Sequence, residues 1–536
     1  MPASLLDPRT LQALPPRKRL DTLLSQEKAA LAVRAQPAES LYRDIQEVGL
    51  SDAEEIVQLA SPRQFRTFVD LGAWRKDGLD HHALLSWIGA AQGEDDEAFL
   101  AKVDGIDLES LELMLRRTTV VHDLEETPDI NPDGVTMESP EGRYLLEFKV
   151  DGQELATVRA LISALITRDP FAAGRLFEAL RWELDTELEE TAWGMRSARL
   201  AYLGFPSLEE AISVFTWVDP DAGAPAWDVR GAGLQRAGAD VDYVRAAMEG
   251  LDASERDNAE QELRYVVNQA LVAEGADAGD LEALRRVAES TAQYLSLGIE
   301  HLAGGVPAAA AEVLRATPFK RLFQVGFSLT LRLKFRVDRL ARRPLARKGE
   351  AWLLFEEEAR VVRALHRKRP LKAVKVEGAD PVPFRARREL QEAALVLDTA
   401  ERTLALLQAL LGGTEESAAA RIAPFEAPWQ QLGAERIFAA SLGQAVLGAG
   451  VEPRPLPVGL LPALVGQLFE AGELRPGVED RCVQALSSIG DADAVRLLVR
   501  RTLVTLHAEW GGVLAAGHAL DPLLVQALPL EGVRPL

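Results

Sequence analysis

FKRLFQVGFSLTLRLKFRVDRL, residues Phe319–Leu340, is the stretch on which the fold class turns. Val325, Phe327, Leu329, Leu331, Leu333, Phe335 and Val337 alternate with smaller or charged residues, which is a strand signature. A strand of that length would be about twice the usual 5–6 residues. Phe319, Leu322, Gly326, Leu329, Leu333, Val337 and Leu340 also lie on one helical stripe, with further apolar groups on the other faces. A largely buried helix accounts for both patterns and is expected here.

Working outward, helix formers dominate, and Gly, Pro, Ser and Asp recur as caps and breaks. Between Pro37 and Thr118 the helical units are short. Ser51 and Glu54 have capping-box spacing, and Ser61-Pro62 supplies an N-cap with proline at the first helical position. Helices this short are marginal alone and must stack to cover their apolar faces. Asn131-Pro-Asp-Gly134 and Ser139-Pro-Glu-Gly142 are turn sequences, and Val135–Val150 between and beyond them reads as a β-hairpin. Later helices are expected at Glu154–Arg168, Phe171–Leu184, Glu187–Leu203, Ser207–Thr216 and Glu389–Leu411.

The fold class that follows is mainly α: a multi-lobed stack of short and medium helices, solenoid-like in its N-terminal part, with one inserted β-hairpin. The expected modules are 1–128, the hairpin 129–152, helices 153–218, a Pro/Gly/Asp-rich linker 219–233, helices 234–314, a basic helical module 315–413 and a C-terminal module 414–536.

The chain of 536 residues has a net charge of −22. That balance opposes whole-surface attraction to nucleic acid or anionic lipid. The charge is segregated, however. Arg315–Arg388 holds 21 Lys and Arg against 7 Asp and Glu, a net of +14, so the remainder carries −36. One cysteine, Cys482, excludes an internal disulfide and fits a reducing cytoplasm. No uninterrupted apolar run reaches the roughly 18–20 residues of a membrane helix, so no membrane insertion is expected.

Three runs carry a resemblance. RWELDTELEETAWGMRSARLAYLGFPSLEEAISVFTWVDP (Arg181–Pro220), EGRYLLEFKV (Glu141–Val150) and the Phe319–Leu340 stretch together resemble an uncharacterised family of large helical bacterial proteins. That resemblance implies a helical bacterial protein and no particular chemistry. The rhythm of LYRDIQEVGLSDAEEIVQLASPRQFRTFVDL (Leu41–Leu71) also resembles, over residues 37–117, the superhelical N-terminal domain of MgtE-type magnesium transporters. No membrane segments follow, so transport is not implied.

Candidate sites are few. Arg336, Arg339, Arg342, Arg343, Arg367, Lys368, Arg369, Lys372, Arg385, Arg387 and Arg388 could grip an anion or nucleic acid, since clustered guanidinium groups hold phosphates bidentately. The competing and favoured reading pairs them with the chain's abundant carboxylates, because surface charge runs are usually solvated or paired. Asp129, Asn131 and Asp133 match the first half of a calcium loop, but Pro140 stands where the bidentate glutamate belongs, and a hairpin turn explains them better. His81-His82 would diverge by about 100° on a helix. Glu183, Asp185, Glu187, Glu189 and Glu190 read as a solvated acidic face, and phosphate loops and nucleophile motifs are absent. The expectation is a non-catalytic cytoplasmic scaffold or adaptor with a protein partner and no cofactor. Anion or nucleic-acid binding is the alternative, and an enzyme site assembled from distant helices is the third reading.

Overall fold

The computed structural model describes residue 11 and residues 14–222, 241–376 and 378–533. It is mainly α, with a few short antiparallel strands. The chain divides into two compact units, one of Met1–Thr216 with Asp252–Thr291, the other of Trp217–Leu251 with Ala292–Leu536. Of the expected linker 219–233, residues 223–233 lie outside the described residues.

In the first unit the helices pack on the next but one. Pro16–Leu24 rests on Ala38–Val48, which rests on Pro62–Gly72, which meets Asp96–Val103. Ala29–Arg34, Glu54–Leu59, His81–Ala91 and Leu108–Thr118 form the second series. This alternation lets helices as short as six residues bury a face they could not cover alone. Their apolar sides merge into one core, where Trp87 stacks on Tyr42 with ring centroids 5.9 Å apart and meets a tilted Phe68 at 5.5 Å. Ser61 forms its capping box, accepting from the Gln64 amide while the Gln64 side chain accepts from the Ser61 amide. The Ser51 box does not form: Ser51–Ala53 is itself a 3-10 turn, so Ala53 and not Ser51 stands at the N-cap of Glu54–Leu59, with no side-chain cap.

The hairpin is present, but as part of a larger sheet. Strands β1 (Trp74–Arg75) and β2 (Gly78–Leu79) make a minimal pair. β3 (Thr119–Asp123), β4 (Val135–Glu138) and β5 (Tyr144–Phe148) form a three-stranded sheet in the order β3-β5-β4. The central β5 matches Phe148 with both Thr119 and Val135, and turns Tyr144, Leu146 and Phe148 into the core. β3 continues directly from the helix Leu108–Thr118 with no Gly or Pro between, so sequence patterning places it in the helical module. In the second unit β6 (Arg347–Lys348) with β7 (Ala351–Trp352), and β8 (Phe469–Glu470) with β9 (Glu473–Leu474), repeat the minimal pair. Each pair stands between two helices, and each is too short for a period-2 signal.

Phe319–Ala341 is one helix, nearly all of its middle buried. Close approach makes this possible. A Cβ at Gly326 would fall 1.8 Å from the Tyr294 carbonyl oxygen, and one at Gly298 would fall 2.1 Å from that of Leu322. Tyr294 packs edge-on to Phe323 and Phe327 beside this crossing. The helix Arg387–Leu410 and the C-terminal helix Ala492–Ala515 complete the core of this unit around Val337, Leu397, Leu404 and Leu498.

Candidate functional site

The basic segment is laced by carboxylates from elsewhere in its unit. Arg336 reaches Asp398 at 2.6 Å and Glu401 at 3.0 Å, both on the helix Arg387–Leu410. Arg332 reaches Asp221 at 2.6 Å and Asp219 at 3.2 Å. Lys372 pairs with Glu389, whose other oxygen accepts the Arg385 amide at 2.6 Å. Burial works against the Glu389 charge, yet that amide and the Lys372 ammonium hold the carboxyl below its ordinary range. The Arg387 amide donates to Glu300 at 2.8 Å, and Arg388 meets Glu392 at 3.4 Å. Arg343 donates to the Glu401 carbonyl at 3.3 Å. Arg369 is half-buried, whereas Arg339, Arg342, Arg343, Arg367 and Lys368 are exposed. Among the described residues these five form no ion pair.

Asp129, Asn131 and Asp133 are exposed on the connection from β3 to β4. There the Gly134 amide donates to Glu147 at 3.2 Å, closing the turn. Histidines meet carboxylates one at a time: His82 with Glu154, His122 with Glu147, His301 with Asp221 and His366 with Asp338. His81 and His82 do not diverge as expected, because their rings rotate towards each other to 4.0 Å between centroids. Among the described residues no group of three or more His, Cys, Asp or Glu could hold a metal ion.

Sequence reasoning missed a surface on the helix Pro170–Trp182. Asp169 caps it, accepting from the amides of Phe171 and Ala172 at 3.0 Å, with Pro170 at the first position. Ala173, Phe177 and Leu180 face the core. On the opposite side Phe171, Arg175, Glu178 and Trp182 follow helical spacing, and Phe171 is 84% and Trp182 67% exposed. Beside this face Pro140 and Glu141 of the turn between β4 and β5, with Tyr144 of β5, lie alongside Phe171 and line a groove of about 600 Å³.

A polar frame fixes that groove. The Tyr144 hydroxyl donates to Glu178 at 2.7 Å, and Trp182 donates to the same carboxylate at 3.0 Å. Arg181 and Arg143 converge on Asp123 at 3.1 and 2.9 Å. Burial first, then Glu178, pushes the Tyr144 hydroxyl up to about 12. The groove therefore offers apolar contact area on a rigid charged frame, with its phenol held protonated. Leu184, Trp193, Tyr202, Leu208 and Ile212 continue the exposed large apolar residues along the same unit. The available signal was a second apolar stripe, Phe171 and Trp182, behind the one that fills the core.

A family of unknown function, DUF6178, matches the chain over residues 7–531. The chain belongs to DUF6178. No curated protein and no solved structure matches it. The likeness of residues 37–117 to the MgtE N-terminal domain finds no support in these comparisons, since next-but-one packing of short helices produces the same rhythm. No described helix of this DUF6178 protein is long and apolar enough to cross a membrane.

The DUF6178 chain also places two carboxylates, Glu358 buried and Glu435 half-buried, on the helices Glu356–His366 and Ala434–Val446. Glu358 is fully buried against Arg501, which pairs with Glu357 at 2.9 Å as well. Glu435 accepts the Glu356 amide. Burial raises its carboxyl above the ordinary value; the Glu356 amide opposes this, and the Glu356 and Glu358 charges add to it. A carboxyl raised in the folded state favours folding when protonated. That contribution is present below the unfolded value, about 4.3, and is lost as pH rises through the folded value. Glu435→Gln keeps an acceptor for the amide and removes the charge. It should match the parent near pH 4 and raise the melting temperature by about 2–4 °C at pH 8, the shift expected of 1 kcal/mol in a unit this size. Calorimetry at the two pH values checks it.

Proposed function

We propose that this protein is a non-catalytic cytoplasmic scaffold that binds another protein through the aromatic face of the helix Pro170–Trp182. The observation that carries the reading is the exposure of Phe171 and Trp182, 84% and 67%, on one face of a single helix, with Phe171 lining a preformed groove. Large aromatic groups left in water on a rigid, internally satisfied frame are what interface hot spots are built from. A cytoplasmic setting is supported by the lone buried Cys482, whose thiol burial raises to about 11 and so keeps unreactive.

Photo-crosslinking in the native host tests this. A benzoylphenylalanine at position 171 or 182 should yield the same discrete adduct, and one at Leu31, 61% exposed elsewhere in the unit, should not. Phe171→Ser with Trp182→Ser should weaken the purified pair at least tenfold, since each anchor contributes more than about 1 kcal/mol. Folding stability should change by less than about 1 kcal/mol, because both groups already face water. Equal adducts at all three positions would refute the proposal.

A second reading rests on Arg339, Arg342, Arg343, Arg367 and Lys368, exposed and without carboxylate partners among the described residues. They support anion or nucleic-acid contact by a surface smaller than the sequence count suggests, because Arg332, Arg336 and Lys372 are spent internally. Binding of single-stranded DNA that steepens as salt falls, and disappears in Arg342→Glu with Arg367→Glu, would favour it over the scaffold reading.

A further inference from the structure

We propose that the second unit carries a binding pocket for a small monocarboxylate with an apolar body, gripped by Arg347. The pocket, of about 470 Å³, lies between β6 and the helix Glu415–Ile422 with the residues that follow it. That volume falls in the range of small-molecule sites, roughly 300–1,000 Å³. Leu345, Ala418, Ile422, Pro428 and Trp429 give it apolar walls.

Arg347 is the group that gives the pocket its chemistry. Its guanidinium lies 5.6 Å from the Trp352 ring centroid, and Nη1 meets Nε2 of His366. The other ring nitrogen of His366, Nδ1, lies 3.2 Å from the Asp338 carboxylate and makes no hydrogen bond. The Trp352 ring and His366 thus hold Arg347 without neutralising it. Arg347 is half-buried, and among the described residues it forms no ion pair. A cation held by a ring face and an imidazole keeps several N–H donors for a ligand, and its planar fork suits a carboxylate.

The rest of the wall sets the ligand class. Lys348 adds a second exposed cation, while Glu415 and Glu426 are exposed at the mouth. Two acids at the rim oppose a doubly charged phosphate monoester and tolerate a single negative charge. The apolar walls call for a hydrocarbon or aromatic remainder. Backbone strain marks the same place: Leu345 and Glu426 both hold left-handed φ angles, 60° and 54°, without being glycine. Such conformations are sparsely populated by residues other than glycine and gather at ligand sites.

Octanoate is the probe, octan-1-ol its uncharged counterpart, and the full chain the receptor, read by tryptophan fluorescence and calorimetry. Octanoate should bind saturably at one site, at least tenfold tighter than octanol. Arg347→Met should erase that preference, and Ala419→Trp, which fills the pocket from an exposed position, should abolish binding of both. If Arg347→Met unfolds, the octanoate–octanol difference and Ala419→Trp decide alone. Equal affinity for the two probes, unsaturable uptake, or full binding by Ala419→Trp would overturn the proposal. The variants leave Phe171 and Trp182 unchanged, and calorimetry reads binding without the Trp182 emission, so this site and the protein-binding surface stand or fall separately.

Discussion

Alanine at Gly326 is expected to destabilise the second unit by about 3 kcal/mol or more, the upper part of the range for overpacking a close contact. The added carbon would arrive 1.8 Å from the Tyr294 carbonyl oxygen and 3.1 Å from the Gly298 amide nitrogen. Both are backbone atoms of a facing helix, so no rotamer change makes room. The helices would have to separate, loosening Tyr294 from Phe323 and Phe327 at 5.1 and 5.5 Å. In a unit of this size the loss corresponds to a fall in melting temperature of about 6–12 °C. Gly194→Ala is the control. That glycine sits in the helix Asp185–Tyr202, exposed, with nothing within 4 Å of the place its new methyl group would take. Removing a helical glycine there should stabilise by a few tenths to about 1 kcal/mol. Equal effects at the two positions would contradict the close crossing.

Arg199→Leu should cost about 3–5 kcal/mol in the first unit, the penalty for stranding a buried charge. Arg199 holds Asp70 through two parallel bonds of 2.7 and 2.8 Å and reaches Asp107 at 2.9 Å. Asp70 is only 3% exposed, and burial already holds its carboxyl above the ordinary value against the pull of Arg199. Without the guanidinium, Asp70 and Asp107 face each other with no shared cation. The remaining neighbour, Arg196, donates to the Asp70 carbonyl at 2.7 Å and not to its carboxylate. Protonating Asp70 relieves the defect, so the deficit should be greatest at pH 8 and shrink towards pH 4. Arg199→Lys, which restores charge without the fork, should recover part of the loss. Urea melts of the three proteins at both pH values provide the measurement, and a pH-independent deficit would refute the electrostatic account.

What could be read in advance follows from what local patterns encode. Phe319–Ala341 is identifiable as a helix because length weighs against a strand; the alternation there is incidental, since a helix buried on nearly every side carries no polar phase. Pro132, Gly134, Pro140 and Gly142 punctuate the hairpin and make it legible. β3 carries no such punctuation, and its register with β5 joins residues such as Thr119 and Phe148 that only the folded sheet brings together. The minimal pairs at Lys76 and Ala471 turn through left-handed residues that are not glycine, so the usual turn signal is missing.

The candidate sites divide in the same way. The charge of residues 315–388 is visible in composition, but its neutralisation by Asp219, Asp221, Asp398 and Glu401 depends on tertiary placement. Outward-facing Phe171 and Trp182 look like core residues in a linear reading. Arg347 counts as one basic residue among many until Trp352 and His366 are seen to hold it.

The first unit is discontinuous: the chain leaves it at Trp217 and re-enters at Asp252. The returning stretch supplies Asp277 to the Lys76 amide at 2.7 Å, Tyr265 to Glu210 at 2.5 Å and Arg285 to Glu47 at 2.6 Å. On the ribosome, the N-terminal helices must therefore wait for a late arrival, more than two hundred residues downstream of Lys76, before their outer edge is sealed. The gene order ties completion of the first half to synthesis of part of the second, so neither half can be inherited, cut or fused as a free-standing module without re-routing that excursion.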